Sequence, residues 1–236
     1  MYFLSNFDEM SKLILVAFIS FGVIGCKKHI DSSMTEIKEE LNYLALGDSY
    51  TIGTAIKGQD AFPYQLANSI EAKVGSKVNV KIVAQNGWRT DDLQRAIKRT
   101  ELENSYDLVS LLIGVNNQYQ QLPIQDFKTD FIKLVDTAIE YADGNKSSVF
   151  IISIPNYGVT PFGISNKEST TIDLELYNTL IDSICKEREL SFFNVTDISL
   201  EAENREDYRA KDDLHPSAIQ YGDWVASFVN RVLQKI

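Results

Sequence analysis

Short apolar runs alternate along most of the chain with segments in which apolar residues recur every three or four positions. The runs predict strands, at residues 41–46, 78–84, 107–113, 149–154 and 192–195. The periodic segments predict amphipathic helices, at residues 62–74, 90–99, 127–142, 168–187 and 218–232. Buried strands that alternate with helices are typical of a parallel sheet covered on both faces. The sequence therefore predicts an α/β fold with three layers, α/β/α, around a mainly parallel five-stranded sheet.

The first residues of the chain depart from this alternation. Lys12 precedes an apolar run over residues 13–24, which is shorter than the about 20 residues that a membrane-spanning helix needs. A basic residue, a short apolar run and a small residue before a cut site describe a secretory signal peptide. The run ends in Val23-Ile24-Gly25-Cys26, which resembles the lipobox of bacterial lipoproteins, where the cysteine is acylated and becomes the mature N-terminus.

This resemblance implies a lipid-anchored protein. It divides the chain into a signal peptide at residues 1–25, a polar tether at residues 26–40 that begins with lipidated Cys26, and one domain at residues 41–236. The protein is then exported and anchored to a bacterial membrane, on its periplasmic or cell-surface face. An uncleaved anchor, or a signal with an unrelated cysteine, is the alternative. The sequence also leaves open whether Met1 or Met10 is the start.

Composition narrows the range of partners. The chain has 236 residues, 44% of them hydrophobic, and a formal net charge of −10. An acidic protein repels polyanions, so no nucleic-acid partner is expected. The two cysteines do not have the paired spacing of a zinc site, so no metal is expected. Cys185 lies among apolar residues at helical spacing and is predicted to be a buried thiol.

Function in a parallel α/β sheet gathers in the loops beyond the carboxyl ends of the strands. Four segments at or near such positions are rich in glycine and polar residues: Gly47-Asp48-Ser49, Asn86-Gly87-Trp88, Gly114-Val115-Asn116-Asn117 and Asp212-Asp213-Leu214-His215-Pro216. Each of them, taken alone, is typical of ordinary turns and helix caps. Together they contain the residue types that nucleophilic catalysis by a serine needs.

A serine nucleophile needs a base to take its proton. The sequence has two histidines, His29 in the tether and His215, so His215 is the candidate base for Ser49. A carboxylate usually orients such a base. Asp212, three residues before His215, is the candidate, and Asp213 is its rival.

An acyl-transfer site also needs donors for the developing oxyanion. The candidates are the backbone amides of Ser49 and Gly87 and the side chain of Asn116. All three lie at predicted strand ends that can converge at one edge of the sheet.

The four segments resemble the four blocks of the SGNH (GDSL-like) hydrolase family, named for Ser, Gly, Asn and His. The blocks fall, in the family's order, on Ser49, Gly87, Asn116 and His215. The resemblance covers residues 41–236. It implies a flavodoxin-like fold and a serine esterase that works through an acyl-enzyme, without a cofactor or a metal.

Three residues in or just after these segments are candidates for the substrate groove: Trp88, Asn117 and Tyr119. Asn117 stands where the resembled family more often has Asp, which points to substrate choice. For the two aromatic residues a packing role is an equal alternative. Residues 155–165 follow a predicted strand, are rich in turn formers and are a candidate rim or lid.

The sequence thus predicts an esterase for carboxylic esters, with short-chain acyl esters or lysophospholipids as substrates. A carbohydrate O-deacetylase acting on polysaccharide is the alternative that the same motifs allow. The alternative from another class is a non-catalytic, glycan-binding surface lipoprotein that keeps the fold.

Overall fold

Five strands form one sheet in residues 38–236, the part of the chain that the structure, a computed structural model, describes. The strands are β1 (Glu40–Gly47), β2 (Lys77–Ala84), β3 (Leu108–Leu112), β4 (Val149–Ile152) and β5 (Ser191–Phe193). Each overlaps one predicted run, and every pairing is parallel, in the order β2-β1-β3-β4-β5. The predicted five-stranded parallel sheet is confirmed.

The helices are α1 (Ser49–Ile52), α2 (Phe62–Val74), α3 (Thr90–Ile97), α4 (Val115–Tyr119), α5 (Ile124–Tyr141), α6 (Lys167–Arg188), α7 (Thr196–Leu200) and α8 (Ala218–Val232). The helices of eight residues or more coincide with the five predicted helices. The helices α1, α4 and α7 have four or five residues and were not predicted, because an amphipathic repeat needs at least two turns to show.

Helices cover both faces of the sheet. On one side α2 packs against α8, and on the other α5 packs against both α3 and α6. A parallel connection must return to the starting end of the sheet, and a helix makes this crossing while it buries its apolar stripe against the strands. The predicted α/β/α layering is confirmed.

The core lies between the sheet and these two helix layers. Every residue of β3 and β4 is buried, which explains why both strands are continuous apolar runs. The Phe150 ring of β4 lies 5.3 Å from that of Phe193 in β5 and 6.0 Å from that of Phe228 in α8, between centroids. Cys185 of α6 is buried, as predicted, and burial raises the pKa of its thiol to about 12.

The register of the sheet brings three strand ends together. Gly47, the last residue of β1, lies beside Ala84 of β2 on one side and Leu112 of β3 on the other. The loops that follow these three residues therefore leave the sheet at the same edge. These loops carry three of the four motifs.

The predicted signal peptide, Cys26 and most of the predicted tether lie outside the described residues. Within residues 38–236, no helix combines the length and the apolar character needed to cross a membrane.

Candidate active site

Ser49 follows β1 at a turn that leaves no room for a side chain at Gly47. A Cβ atom there would lie 2.1 Å from Thr51 Oγ1 and 2.4 Å from the Leu112 carbonyl oxygen. Glycine allows this close approach, so the chain turns sharply at the sheet edge and α1 begins at Ser49.

Asp48 fixes the same turn from the core side. It is fully buried, and its Oδ1 accepts a hydrogen bond of 3.0 Å from the Tyr50 amide. Burial raises the pKa of Asp48 to about 7, although the amides of Tyr50 and Gly114 act in the opposite direction. Asp48 therefore holds the turn at Ser49 as an acceptor for backbone amides.

Two further loops bring hydrogen-bond donors to this edge. Gly87 has a φ of +79°, in the left-handed region that favours glycine. Asn116, in α4, donates one Nδ2 hydrogen to the Trp88 carbonyl oxygen over 2.9 Å, and its amide carries a second hydrogen for another acceptor. Ser49, Gly87 and Asn116 all line one cavity. Their role as oxyanion donors stays a prediction.

His215 lies on a tight loop that backbone pairing closes. Arg209 and Pro216 form an isolated antiparallel bridge, and the Ala210 amide donates to the His215 carbonyl oxygen over 2.8 Å. Asp212, inside this loop, accepts a 3.0 Å hydrogen bond from the His215 amide at Oδ1. Its Oδ2 lies 2.6 Å from Nδ1 of the His215 ring.

This contact sets the charge of Asp212 and the orientation of the imidazole. Burial of Asp212 favours the neutral carboxyl, but the hydrogen bonds from the His215 side chain and backbone outweigh it and lower the pKa. The ionised carboxylate accepts a proton-bearing Nδ1, which leaves Nε2 of His215 as the atom that can take a proton.

Asp213, the rival carboxylate, points away from the imidazole. Its side chain is 64% exposed, and its Oδ1 lies 3.6 Å from Arg209 Nε. Its φ of +55° is left-handed, a conformation in which Asp and Asn are the commonest residues after glycine. The geometry favours Asp212 over Asp213 as the partner of His215.

Ser49 and His215 line the same cavity, which has a volume of about 150 Å³. The His215 ring also packs 5.5 Å from the ring of Tyr50, next to the serine. Among the hydrogen bonds of residues 38–236 none joins Ser49 to His215; such bonds are often long in unliganded sites and tighten when substrate binds. The other lining residues are Tyr50, Asn86, Gly87, Val115, Asn116, Tyr119, Tyr157, Phe162 and Leu214.

Of the groove candidates, Tyr119 lines this cavity and is 56% exposed. Asn117 is buried, and both polar atoms of its side chain are hydrogen-bonded to Thr90, so its part in substrate choice stays a prediction. Its Oδ1 accepts from the Thr90 amide over 3.1 Å, and its Nδ2 donates to Thr90 Oγ1 over 3.0 Å. Asn117 therefore anchors the start of α3, and Trp88 packs its indole against the core.

The candidate rim, residues 155–165, contributes Tyr157 and Phe162 to the cavity. The segment was predicted to border the site, but these two rings were not; their aromatic character within a turn-rich stretch was the available signal. Asn86 was also missed as a lining residue, and its Oδ1 accepts a hydrogen bond from Thr54 Oγ1. Within the described residues, no group of three or more His, Cys, Asp or Glu side chains is placed to hold a metal ion.

Comparison with known families gives one match that covers the site. A model of the GDSL-like Lipase/Acylhydrolase family matches residues 45–222. This span is more than half of the chain and includes all four motifs. No curated protein matches the sequence.

Solved structures with a similar fold share little sequence with this chain. An acetylxylan esterase, Axe2, from Geobacillus stearothermophilus superposes with a TM-score of 0.64 at 16% identity, over 83% of this chain and 95% of that one. A lipase/acylhydrolase from Enterococcus faecalis gives 0.66 at 16% identity, over 82% and 96%. A member of the lipolytic protein G-D-S-L family from Veillonella parvula gives 0.62 at 16% identity, over 80% and 96%.

Proposed function

This chain belongs to the GDSL-like lipase/acylhydrolase family of ester-hydrolysing enzymes, and from that premise we propose that it hydrolyses short-chain carboxylic esters through an acyl-enzyme on Ser49. The observation that carries the proposal is one cavity lined by Ser49 and by a His215 whose Nδ1 lies 2.6 Å from Asp212. A serine next to an imidazole that a carboxylate orients is the arrangement that activates a hydroxyl nucleophile.

The first half of the reaction forms the acyl-enzyme. Ser49 Oγ attacks the ester carbonyl carbon, and its proton moves to Nε2 of His215. The carbon–oxygen bond to the alcohol then breaks, and the imidazolium returns the proton to the departing alkoxide, which leaves as a neutral alcohol. Asp212 stays ionised and stabilises the imidazolium in between.

Water completes the cycle. His215 takes a proton from water as the water oxygen attacks the acyl carbon, and it then gives that proton to Ser49 Oγ as the acyl–serine bond breaks. The products are the carboxylic acid and free Ser49. In both halves negative charge develops on the carbonyl oxygen, where the amides of Ser49 and Gly87 and the Asn116 side chain are the candidate donors.

The size of the cavity favours a short acyl group. Its volume of about 150 Å³ is that of a cavity that holds one benzene molecule, and it is below the range of roughly 300–1,000 Å³ typical of sites for drug-sized ligands. Its lining includes no Lys or Arg side chain, so the phosphate of a lysophospholipid would meet no cation there. Short-chain esters therefore fit better than lysophospholipids.

We expect kcat/KM to stop rising beyond the butanoate ester, because methylene groups that the cavity cannot hold stay in water and contribute none of the about 0.8 kcal/mol that each buried CH₂ supplies. The measurement is a series of p-nitrophenyl esters from acetate to dodecanoate, with Ser49→Ala as the background. A kcat/KM that rises steadily with chain length would contradict the short-chain proposal.

A carbohydrate O-deacetylase remains the second candidate, because the acetyl group that it removes is the shortest common acyl group. An acetylxylan esterase is among the solved structures that share this fold. Its alcohol product would be a sugar hydroxyl, so the two versions differ in the leaving group and share the chemistry at Ser49.

Anchoring at Cys26 is the proposal for location. The described chain enters β1 at Glu40, at the edge of the sheet opposite to the cavity. The eight residues of β1 span about 26 Å at roughly 3.3 Å per residue. A domain tethered there has its attachment point and its catalytic cavity at opposite ends of β1. This favours substrates that are not part of the anchoring membrane.

We expect Cys26→Ser to move the protein from the detergent-rich to the aqueous phase in Triton X-114 partitioning of cells, because it removes the thiol that is acylated. Metabolic labelling with an alkyne fatty acid should disappear in the same variant. Cys185→Ala, which keeps Cys26, is the matched control and should remain labelled. A Cys26→Ser protein that stays in the detergent phase with full label would contradict the anchor.

A further inference from the structure

Two aromatic rings stay exposed at the mouth of the cavity. Tyr119 is 56% and Phe162 is 51% exposed, more than any other aromatic residue in the described part of the chain. Both line the cavity that also holds Ser49 and His215. Solvent exposure of two neighbouring rings at a catalytic cavity points to a ligand surface, because packing alone would bury them.

Tyr157 joins the two exposed rings into one surface, the aromatic rim, which comprises Tyr119, Tyr157 and Phe162. The Tyr119 and Phe162 ring centroids are 6.0 Å apart. The Tyr157 ring lies beneath them, 6.2 Å from Tyr119 and 6.3 Å from Phe162. These distances are those of rings in contact.

The rim is held in place before any ligand binds. The Tyr157 hydroxyl donates to Gln118 Oε1 over 3.0 Å, and Gln118 Nε2 donates in turn to Asp173 Oδ2 over 3.1 Å. The Phe162 amide donates to the Asp213 carbonyl oxygen over 3.3 Å, which ties the rim to the loop that carries His215. A preorganised surface loses less entropy when a ligand settles on it.

The chemistry around the rim selects a neutral ligand with one apolar face. His215 is the one titratable nitrogen in the lining of the cavity, and the remaining polar lining consists of hydroxyl, amide and backbone groups. A sugar ring has C–H groups on one face, which pack on the negative face of an aromatic ring, and hydroxyls at its edge, which stay in water. The half-exposed rings leave that edge hydrated.

We propose that the aromatic rim binds the sugar ring of an O-acyl sugar, so that the alcohol part of the ester rests on Tyr119 and Phe162 while its carbonyl reaches Ser49. This inference rests on the proposed esterase function and names the leaving group of the same reaction. Tyr119 and Phe162 are then specificity residues, and they select the alcohol rather than the acyl group.

The test compares two acetates that differ only in the alcohol: an acetylated xylo-oligosaccharide and ethyl acetate. Tyr119→Leu and Phe162→Leu keep an apolar side chain but remove the flat face. Each should lower the ratio of kcat/KM for the sugar acetate to that for ethyl acetate about tenfold, mainly through KM. Tyr119→Phe and Phe162→Tyr should keep the ratio of the wild type. Ile172 is an exposed apolar residue of α6 outside the cavity lining, and Ile172→Ala should leave the ratio unchanged.

Two outcomes would overturn the rim as a sugar site. One is an equal loss on both acetates in the leucine variants. The other is a selective loss on phenyl acetate with the sugar acetate unaffected, which would assign the rim to an aryl alcohol.

Failure of the rim can be told apart from failure of the esterase. If the wild type hydrolyses ethyl acetate no faster than Ser49→Ala, the proposed function fails. The rim is then tested by binding alone: calorimetric titration of Ser49→Ala with the acetylated oligosaccharide should give a Kd that rises about tenfold when Phe162→Leu is added. An unchanged Kd would contradict the rim, whatever the catalytic result.

Discussion

Replacing His215 by alanine is expected to lower kcat for a short-chain ester by about 10⁵- to 10⁶-fold, the loss typical of removing the base of a serine triad. His215 is the one histidine among residues 38–236, and its Nδ1 is held by Asp212, so no second imidazole in the domain can take the Ser49 proton. KM should change much less, because the cavity walls stay in place.

The measurement is kcat with p-nitrophenyl acetate, with circular dichroism to show that the variant is folded. His215 is 9% exposed, so a loss of fold must be excluded before the kinetic loss is assigned to chemistry. A folded His215→Ala protein within tenfold of the wild type would remove His215 from the mechanism.

Asp212→Asn is expected to lower kcat by about 10³- to 10⁴-fold with the fold intact, a smaller loss than that at the histidine. The side-chain amide of the introduced asparagine cannot stabilise the imidazolium. It also allows the wrong tautomer of His215, in which the proton is on Nε2. The hydrogen bond that Oδ1 accepts from the His215 amide can survive in the variant, which preserves the loop.

Asp213→Asn is the matched control for Asp212→Asn, since it removes the same charge one residue further along the loop. Asn tolerates the left-handed backbone at this position, and the exposed Asp213 side chain does not touch the imidazole. We expect kcat within about threefold of the wild type for this surface change. A larger loss in Asp213→Asn than in Asp212→Asn would reverse the two roles.

The sheet and the long helices were predictable because burial imposes a period on the sequence. The residues of β4 are buried on both faces, so the strand is an apolar run, whereas α8 buries one stripe and repeats every three or four residues. The short helix α1 was not predictable in this way. It exists because Asp48 caps the turn by accepting from the Tyr50 amide and because Gly47 allows close packing against Leu112, a contact between parts of the chain that are far apart in the sequence.

The sequence predicts which motifs form the candidate site, but it does not predict the direction in which each side chain points. Asn116 and Asn117 are neighbours in α4, and successive residues on a helix point about 100° apart. Asn116 therefore faces the cavity while Asn117 turns to Thr90. Which of two adjacent asparagines faces the cavity depends on where α4 begins, and Gly114, with a φ of +130° against Phe127, sets that point through packing.

The aromatic rim shows the same limit. Residues 155–165 are visibly rich in turn formers, but the placement of Phe162 depends on Gly163, where a Cβ would lie 2.2 Å from the Tyr157 carbonyl oxygen. Tyr119 joins the rim from the last residue of α4. A surface assembled from two separate segments follows from the strand order, which the sequence pattern alone does not give.

Reaction of the domain with a fluorophosphonate probe tests the central claim most directly, because the probe labels an activated serine without needing the natural ester. We predict one adduct per molecule, located by mass spectrometry on Ser49, with none on Ser49→Ala and labelling slowed by several orders of magnitude on His215→Ala. No labelling of the folded wild type, or equal labelling of Ser49→Ala, would contradict the account and favour the non-catalytic, glycan-binding alternative.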